Sequence, residues 1–133
     1  MNKTGLIGTP YQRILVIEDE FTNQYLFELN LKDSGIEDIK AFNLREGKEL
    51  FDKFDGDFDF VLVDACLESK QPDSMELIAY IKDSGFAGEI VAISSNDDRN
   101  DLLIAAGATL KFLKTETGKM LKNYRCYHKI IKG

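Results

Sequence analysis

The sequence lacks several features that mark secreted, membrane-spanning or nucleic-acid-binding proteins. Cys66 and Cys126 are its only cysteines. Two cysteines are too few for a disulfide framework, so we expect a reducing compartment, the cytoplasm. No run of about 18 apolar residues is present, so we expect no membrane span. Acidic residues outnumber basic ones by 23 to 17, whereas nucleic-acid-binding surfaces are usually basic, so we also expect no direct contact with nucleic acid.

The chain has 133 residues, of which 44% are hydrophobic, and this length and composition suit one domain with a single core. Residues 1–12 include Pro10 and two glycines but lack the apolar stretch of a signal peptide. We therefore predict a flexible N-terminal lead-in over residues 1–12 and one domain over residues 13–133.

Short apolar segments alternate with segments of helical periodicity along this domain. We predict strands near residues 13–17, 39–42, 58–63, 89–93 and 108–113. A helix follows each strand, the first with an apolar stripe of Phe21, Tyr25, Leu26 and Leu29, and the last over residues 117–131. Such alternation is typical of parallel strands joined by right-handed crossovers, with helices on both faces of the sheet.

The composition of the strands predicts their order. The segments ILVI, FVLV and IVAI are unbroken apolar runs, as expected of central strands that are buried on both faces. Charge interrupts the second and fifth strands at Lys40 and Lys111, as expected at the edges of a sheet. We therefore predict an α/β fold, the flavodoxin-like (βα)5 three-layer sandwich with parallel strand order 2-1-3-4-5.

Polar residues follow the predicted strands at the edge where such sheets bind ligands. Glu18 and Asp19 follow the first strand, and Asp64 follows the third. Because these two strands are neighbours, the three carboxylates should converge and repel one another unless a proton or a cation is bound. Oxygen ligands with room for water suit Mg²⁺. Taken alone, Glu18 and Asp19 could simply be acidic residues at the start of a helix.

Two further residues extend this group toward phosphoryl chemistry. Lys114, after the fifth strand, places an ammonium where it can pair with a carboxylate or a phosphoryl oxygen. Ser94, after the fourth strand, offers a hydroxyl to the same oxygens. Phosphoryl transfer depends mainly on positioning and charge neutralisation. Asp64 would be the nucleophile, because it directly follows its strand.

Four segments resemble the response-regulator receiver family, in the right order and on the right elements. They are ILVIEDE, FDFVLVDACL, EIVAISSND and GATLKFLK, and the resemblance extends from Arg13 to about Ile131. It implies a phosphoprotein of a two-component or phosphorelay system that takes a phosphoryl group from a histidine kinase or a histidine phosphotransfer protein. It implies no enzyme beyond self-catalysed phosphoryl transfer and dephosphorylation.

The resemblance also assigns roles to individual residues. Asp64 would be the phosphoacceptor, and Ser94 and Lys114 would contact the phosphoryl group. Mg²⁺ would be the cofactor, and its ligands would come from the side chains of Glu18, Asp19 and Asp64 together with the backbone carbonyl of Cys66. The Cys66 thiol itself should be inert, since neighbouring carboxylates raise its pKa. We expect His128 on the last helix to be a surface or partly packed residue and not a phosphorelay histidine.

Three departures from the family pattern are visible. Thr115 follows Lys114, where the family usually has a proline after a cis peptide bond. Lys111 occupies the aromatic switch position, so the usual rotation of an aromatic side chain beside Ser94 cannot occur. The loop after Asp64 is about two residues longer than usual, with Pro72 later than the family's proline.

Two other functions remain open. A degenerate receiver would bind partners without phosphorylation, in line with the changes at Lys111 and Thr115. An aspartyl-phosphate hydrolase of the same broad fold would carry D-x-D-x-T after the first strand, which residues 18–22 do not match. The sequence does not name the kinase or the downstream target, and it leaves open a homodimer that forms on phosphorylation.

Overall fold

The computed structural model describes residues 12–32 and 35–121. The predicted lead-in, apart from Gln12, lies outside the described residues, as do Cys126 and His128. No helix within the described ranges has both the length and the apolar character needed to cross a membrane.

Strands and helices alternate along the chain, as the apolar pattern predicts. The elements are β1 (Gln12–Ile17), α1 (Phe21–Leu31), β2 (Ile36–Ala41), α2 (Leu44–Lys53), β3 (Phe60–Val63), α3 (Met75–Asp83), β4 (Glu89–Ala92), α4 (Asp97–Ala106) and β5 (Leu110–Lys111). A fifth helix, α5, begins at residue 114 and is described to residue 121. It therefore starts three residues earlier than predicted, while β5 is shorter than the predicted 108–113.

The five strands form one parallel sheet in the order β2-β1-β3-β4-β5. This confirms the predicted fold class and strand order. Every residue of β3 is buried, whereas both residues of β5 are exposed. The charged residues identified β2 and β5 as edge strands, because a central strand, covered by helices on both faces and by strands on both sides, has no solvent-exposed position for a charged side chain.

Two apolar layers sandwich the sheet, since successive residues of a strand point to opposite faces. Leu15 and Ile17 of β1 belong to the layer under α2, α3 and α4. Ile14 and Val16 belong to the opposite layer, which α1 and α5 cover. Because the strands are parallel, the carboxyl ends of β1, β3 and β4 lie at the same edge of the sheet.

Helix α1 forms where the apolar spacing predicts a helix, but a different side of it faces the sheet. Its predicted apolar stripe is largely exposed, and Phe21 is 75% exposed. The side that faces the sheet instead carries Gln24, Phe27 and Leu31. Because α1 is apolar on more than one side, periodicity indicates a helix without showing which side is buried.

Candidate functional site

The site lies at the carboxyl edge of the sheet, where β1 and β3 end side by side. Glu18 and Asp19 follow β1, and Asp64 follows β3, whose Val63 pairs with Ile17. One carboxylate oxygen from each of the three acidic residues lies within 4.8 Å of the others. The structure thus brings together the three carboxylates that the sequence placed at neighbouring strand ends.

Lys114 bridges two of these carboxylates from the first turn of α5. Its Nζ lies 3.0 Å from Glu18 Oε1 and 3.2 Å from Asp64 Oδ2. Its backbone N–H donates to the carbonyl of Ser94 at 3.2 Å, which joins the end of β4 to the start of α5. One ammonium therefore pairs with two of the three carboxylates, so the cluster has more acidic than basic groups.

Burial makes this charge costly. Glu18 is fully buried, and burial, aided by the charge of Asp64 and opposed by the backbone N–H of Glu20 and by Lys114, raises the pKa of Glu18 to about 7. Burial also raises the pKa of Asp64, although Lys114 opposes it. The pKa of Lys114 is raised because its attraction to Asp64 and Glu18 outweighs its burial. The site thus favours taking up positive charge, as a proton or as a cation.

The loop after Asp64 is held by Asp73. The Asp73 carboxylate accepts hydrogen bonds from the backbone N–H groups of Leu67 and Glu68, both at 2.8 Å. The thiol of Cys66 points to the carbonyl of Lys70 at 3.7 Å, and burial raises its pKa, in line with an inert thiol. This loop is therefore tied back on itself by internal hydrogen bonds.

Ser94 is buried and held through its backbone. Its hydroxyl accepts a hydrogen bond from the N–H of Asn96 at 3.1 Å, and its own N–H donates to Asn100 Oδ1 at 2.8 Å. Ser94 thus lies at the end of β4, joined through its carbonyl to Lys114, and its hydroxyl belongs to the turn that starts α4.

The structure shows the surroundings of Lys111 and Thr115, the two departures from the family pattern near Lys114. Lys111 is exposed, and its Nζ pairs with Asp101 at 2.7 Å and Asp97 at 3.3 Å, both on α4. Its side chain thus lies over the outer surface of α4. The described residues contain no cis peptide bond, so the bond between Lys114 and Thr115 is trans.

Sequence reasoning missed two buried amides, those of Gln24 and Asn100. The amide nitrogen of Gln24 donates to the carbonyls of Val16 at 2.9 Å, Ala41 at 3.0 Å and Glu18 at 3.2 Å. It thereby ties α1 to the ends of β1 and β2 beside the acidic pair. The spacing of Gln24 from Phe27 and Leu31 could have indicated a buried position, once that side of the helix was recognised.

Comparison with known proteins supports the fold. No protein-family model matches the sequence, and comparison with curated proteins gave no match. Among solved structures, a response-regulator receiver domain from Clostridium thermocellum matches with a TM-score of 0.73 and 23% identity, covering 91% of this chain and 96% of that chain. The chain has the fold of response-regulator receiver domains.

Two further neighbours agree with this fold. A response regulator from Thermotoga maritima matches with a TM-score of 0.72 and 20% identity, covering 90% of this chain and 98% of that chain. The Mn²⁺-bound form of response regulator Rcp1 has a TM-score of 0.67 and 19% identity, covering 87% and 93%. The receiver fold is thus reproduced over nearly the whole chain at low sequence identity.

We predict that stability without divalent metal falls as pH rises. Glu18 has a pKa of about 7 when folded and an ordinary value of 4.5, so between these values the folded state holds more protons than the unfolded state. Raising the pH through this window therefore lowers the free energy of unfolding. Urea unfolding at several pH values should show that the free energy of unfolding falls less steeply with pH in Glu18→Gln than in the wild type. The matched change Glu20→Gln, at an exposed neighbour, should keep the wild-type slope, and equal slopes in both variants would contradict the account.

We also predict that Gln24→Met destabilises the domain. Methionine has a similar size but donates no hydrogen bond, so the carbonyls of Val16, Glu18 and Ala41 lose a buried donor at a cost of about 1–3 kcal/mol. Urea unfolding measures this loss. Asn23→Ala, on the less buried side of α1, is the control, and a loss no larger for Gln24→Met than for this control would show that the bonds are dispensable.

Proposed function

We propose that the chain is a phosphoacceptor receiver domain whose Asp64 takes a phosphoryl group from a histidine kinase or a histidine phosphotransfer protein. One observation carries the proposal: the carboxylates of Glu18, Asp19 and Asp64 converge within 4.8 Å, and Lys114 bridges two of them. This arrangement gathers an acceptor oxygen, an excess of negative charge and a cationic side chain at one edge of a receiver fold.

The donor set suits a hard divalent cation. All three side chains offer carboxylate oxygens, which Mg²⁺ prefers, and Mg²⁺ typically uses one or two carboxylates and keeps several waters. Glu18, Asp19, Asp64 and the backbone carbonyl of Cys66 are the groups that would hold it. When bound, the metal would neutralise charge on the phosphoryl oxygens. One of the structural neighbours, the response regulator Rcp1, is a Mn²⁺-bound form, which supports a divalent metal in a domain of this fold.

The residues of the chain divide the chemistry among themselves. A carboxylate oxygen of Asp64 forms the new bond to phosphorus while the phosphorus–nitrogen bond of the donor histidine breaks and its electron pair returns to the imidazole. Lys114 holds the Asp64 carboxylate in place and supplies positive charge as the phosphoryl group arrives. Ser94 offers its hydroxyl to a phosphoryl oxygen. In these roles the chain itself accepts the phosphoryl group, which fits a signalling domain rather than an enzyme acting on a separate substrate.

A degenerate receiver, which binds partners without phosphorylation, is the second candidate. Two observations favour it: Lys111 is exposed and paired with α4, and the bond after Lys114 is trans. The intact cluster of Asp19, Asp64 and Lys114 favours phosphorylation. We further propose a cytoplasmic location.

We predict Mg²⁺-dependent phosphorylation at Asp64. Incubation with acetyl phosphate and Mg²⁺ should add one phosphoryl group by intact mass, because Asp64 offers the acceptor oxygen of the site. The same treatment of Asp64→Asn should add none, and Asp59→Asn, at a carboxylate outside the cluster, should behave like the wild type. Labelling that survives Asp64→Asn would refute the assignment.

We predict a weak Mg²⁺ site that depends on Asp19. Because the metal relieves repulsion among the carboxylates, Asp19→Ala should reduce Mg²⁺ affinity sharply in a calorimetric titration. The metal-free protein should instead gain stability from Asp19→Asn or Asp64→Asn, since each removes one negative charge. Glu20→Ala is the control for both measurements. Equal Mg²⁺ affinity in wild type and Asp19→Ala would show that Asp19 is not a ligand.

We predict that the signal is transmitted without an aromatic rotation, because Lys111 occupies that position. Adding beryllofluoride and Mg²⁺ should change the amide NMR signals of residues 94–99 and those around Lys111. Changes confined to residues 18–20 and 64–67 would mean that phosphorylation is not relayed to α4 and β5. That result would favour the degenerate receiver.

A further inference from the structure

Asn100 makes three hydrogen bonds from a fully buried position on α4. Its Oδ1 accepts from the N–H of Ser94 at 2.8 Å. Its Nδ2 donates to the carbonyl of Ser94 at 3.3 Å and to the carbonyl of Phe112, just beyond β5, at 3.0 Å. A single amide thus contacts the ends of both strands that flank α4.

Two of these hydrogen bonds hold the backbone of Ser94, one at its N–H and one at its carbonyl. The N–H and the carbonyl of Ser94 both bond to Asn100, and the same carbonyl also accepts from the N–H of Lys114 at 3.2 Å. Any shift of the Ser94 backbone must therefore move Asn100, break buried hydrogen bonds, or both. Breaking a buried bond without a replacement is costly, so the coupled movement is favoured.

Besides Asn100, Ser94 reaches the α4–β5 face through its hydroxyl, which accepts from the N–H of Asn96 at the exposed start of α4. Lys111 carries no aromatic ring to rotate, and its contacts with Asp97 and Asp101 lie at the exposed surface, where solvent and salt weaken them. Asn100 instead lies on the same helix as Leu103, which anchors α4 in the core. Among the side chains that bond to Ser94, that of Asn100 on α4 also bonds to Phe112 beyond β5, so its amide connects all three.

We infer that Asn100 is a positioning residue that sets the place of Ser94 and passes its movement to α4 and β5, in place of an aromatic switch. The inference rests on the proposed function, because it takes Ser94 as the residue that responds to the phosphoryl group. Asn100 acts through Ser94 and not by contact with that group.

The test compares two identical chemical changes on the same helix end. Asn100→Asp keeps the oxygen that accepts from the N–H of Ser94. It replaces the donating nitrogen with an oxygen, so the carbonyls of Ser94 and Phe112 both lose their donor. Asn96→Asp is the matched control, since the Asn96 side chain accepts from the N–H of Arg99 at the start of α4, and aspartate caps helices equally well. The full chain is used, with beryllofluoride and Mg²⁺ as the probe.

Two NMR readouts separate the two proposals. Fluorine signals of bound beryllofluoride report whether the site is loaded, and backbone amide shifts of residues 110–113 report the relay. We expect all three proteins to bind beryllofluoride, with the shift changes at residues 110–113 lost in Asn100→Asp and kept in Asn96→Asp. Changes of wild-type size in Asn100→Asp, or equal loss in both variants, would overturn the inference while leaving the proposed function standing. Absence of bound beryllofluoride in the wild type would overturn both.

A measurement on the wild type keeps the inference testable if Asn100→Asp does not fold. The Ser94 amide should exchange its hydrogen at least about tenfold more slowly than an unprotected loop amide, because Asn100 accepts it in the interior. Exchange of the Ser94 amide at the rate of an unprotected loop would overturn the positioning role.

Discussion

Repulsion among buried carboxylates is the constraint on which the rest of this structure depends. Glu18 and Asp64 are brought together because β1 and β3 are adjacent, and the interior offers them little solvent. Lys114 meets both of them, and the contact requires β5 and α5 to end and begin at the same edge as β1 and β3. One ammonium thus lies against two carboxylates as a result of the strand order, the crossovers and the start of α5.

Much of the fold follows from composition along the chain. Parallel strands that are buried on both faces must be apolar throughout, which made β1, β3 and β4 recognisable and left the strands with Lys40 and Lys111 as edges. The cluster of carboxylates was equally accessible to reasoning, because strand order alone determines which strand ends are neighbours. Lys114 could be placed for the same reason, although the helical start of α5 at this residue was not foreseen.

The remaining features depend on packing that local sequence patterns do not encode. The side of α1 that faces the sheet carries Gln24, whose burial depends on three carbonyls from β1 and β2. Asn100 on α4 looks like an ordinary polar helix residue until the carbonyls of Ser94 and Phe112 are seen to reach it. Both amides are buried because they satisfy backbone groups of other elements, and such partners become known only when the elements are assembled.

The carboxylate of Asp64 is the proposed phosphoacceptor, and locating the modified residue tests this assignment most directly. After treatment with phosphoramidate and Mg²⁺, reduction with borohydride converts an aspartyl phosphate to homoserine, which tandem mass spectrometry assigns to a single position. We expect homoserine at position 64, dependent on Mg²⁺. Homoserine at another aspartate, or none at position 64 after such treatment, would contradict it.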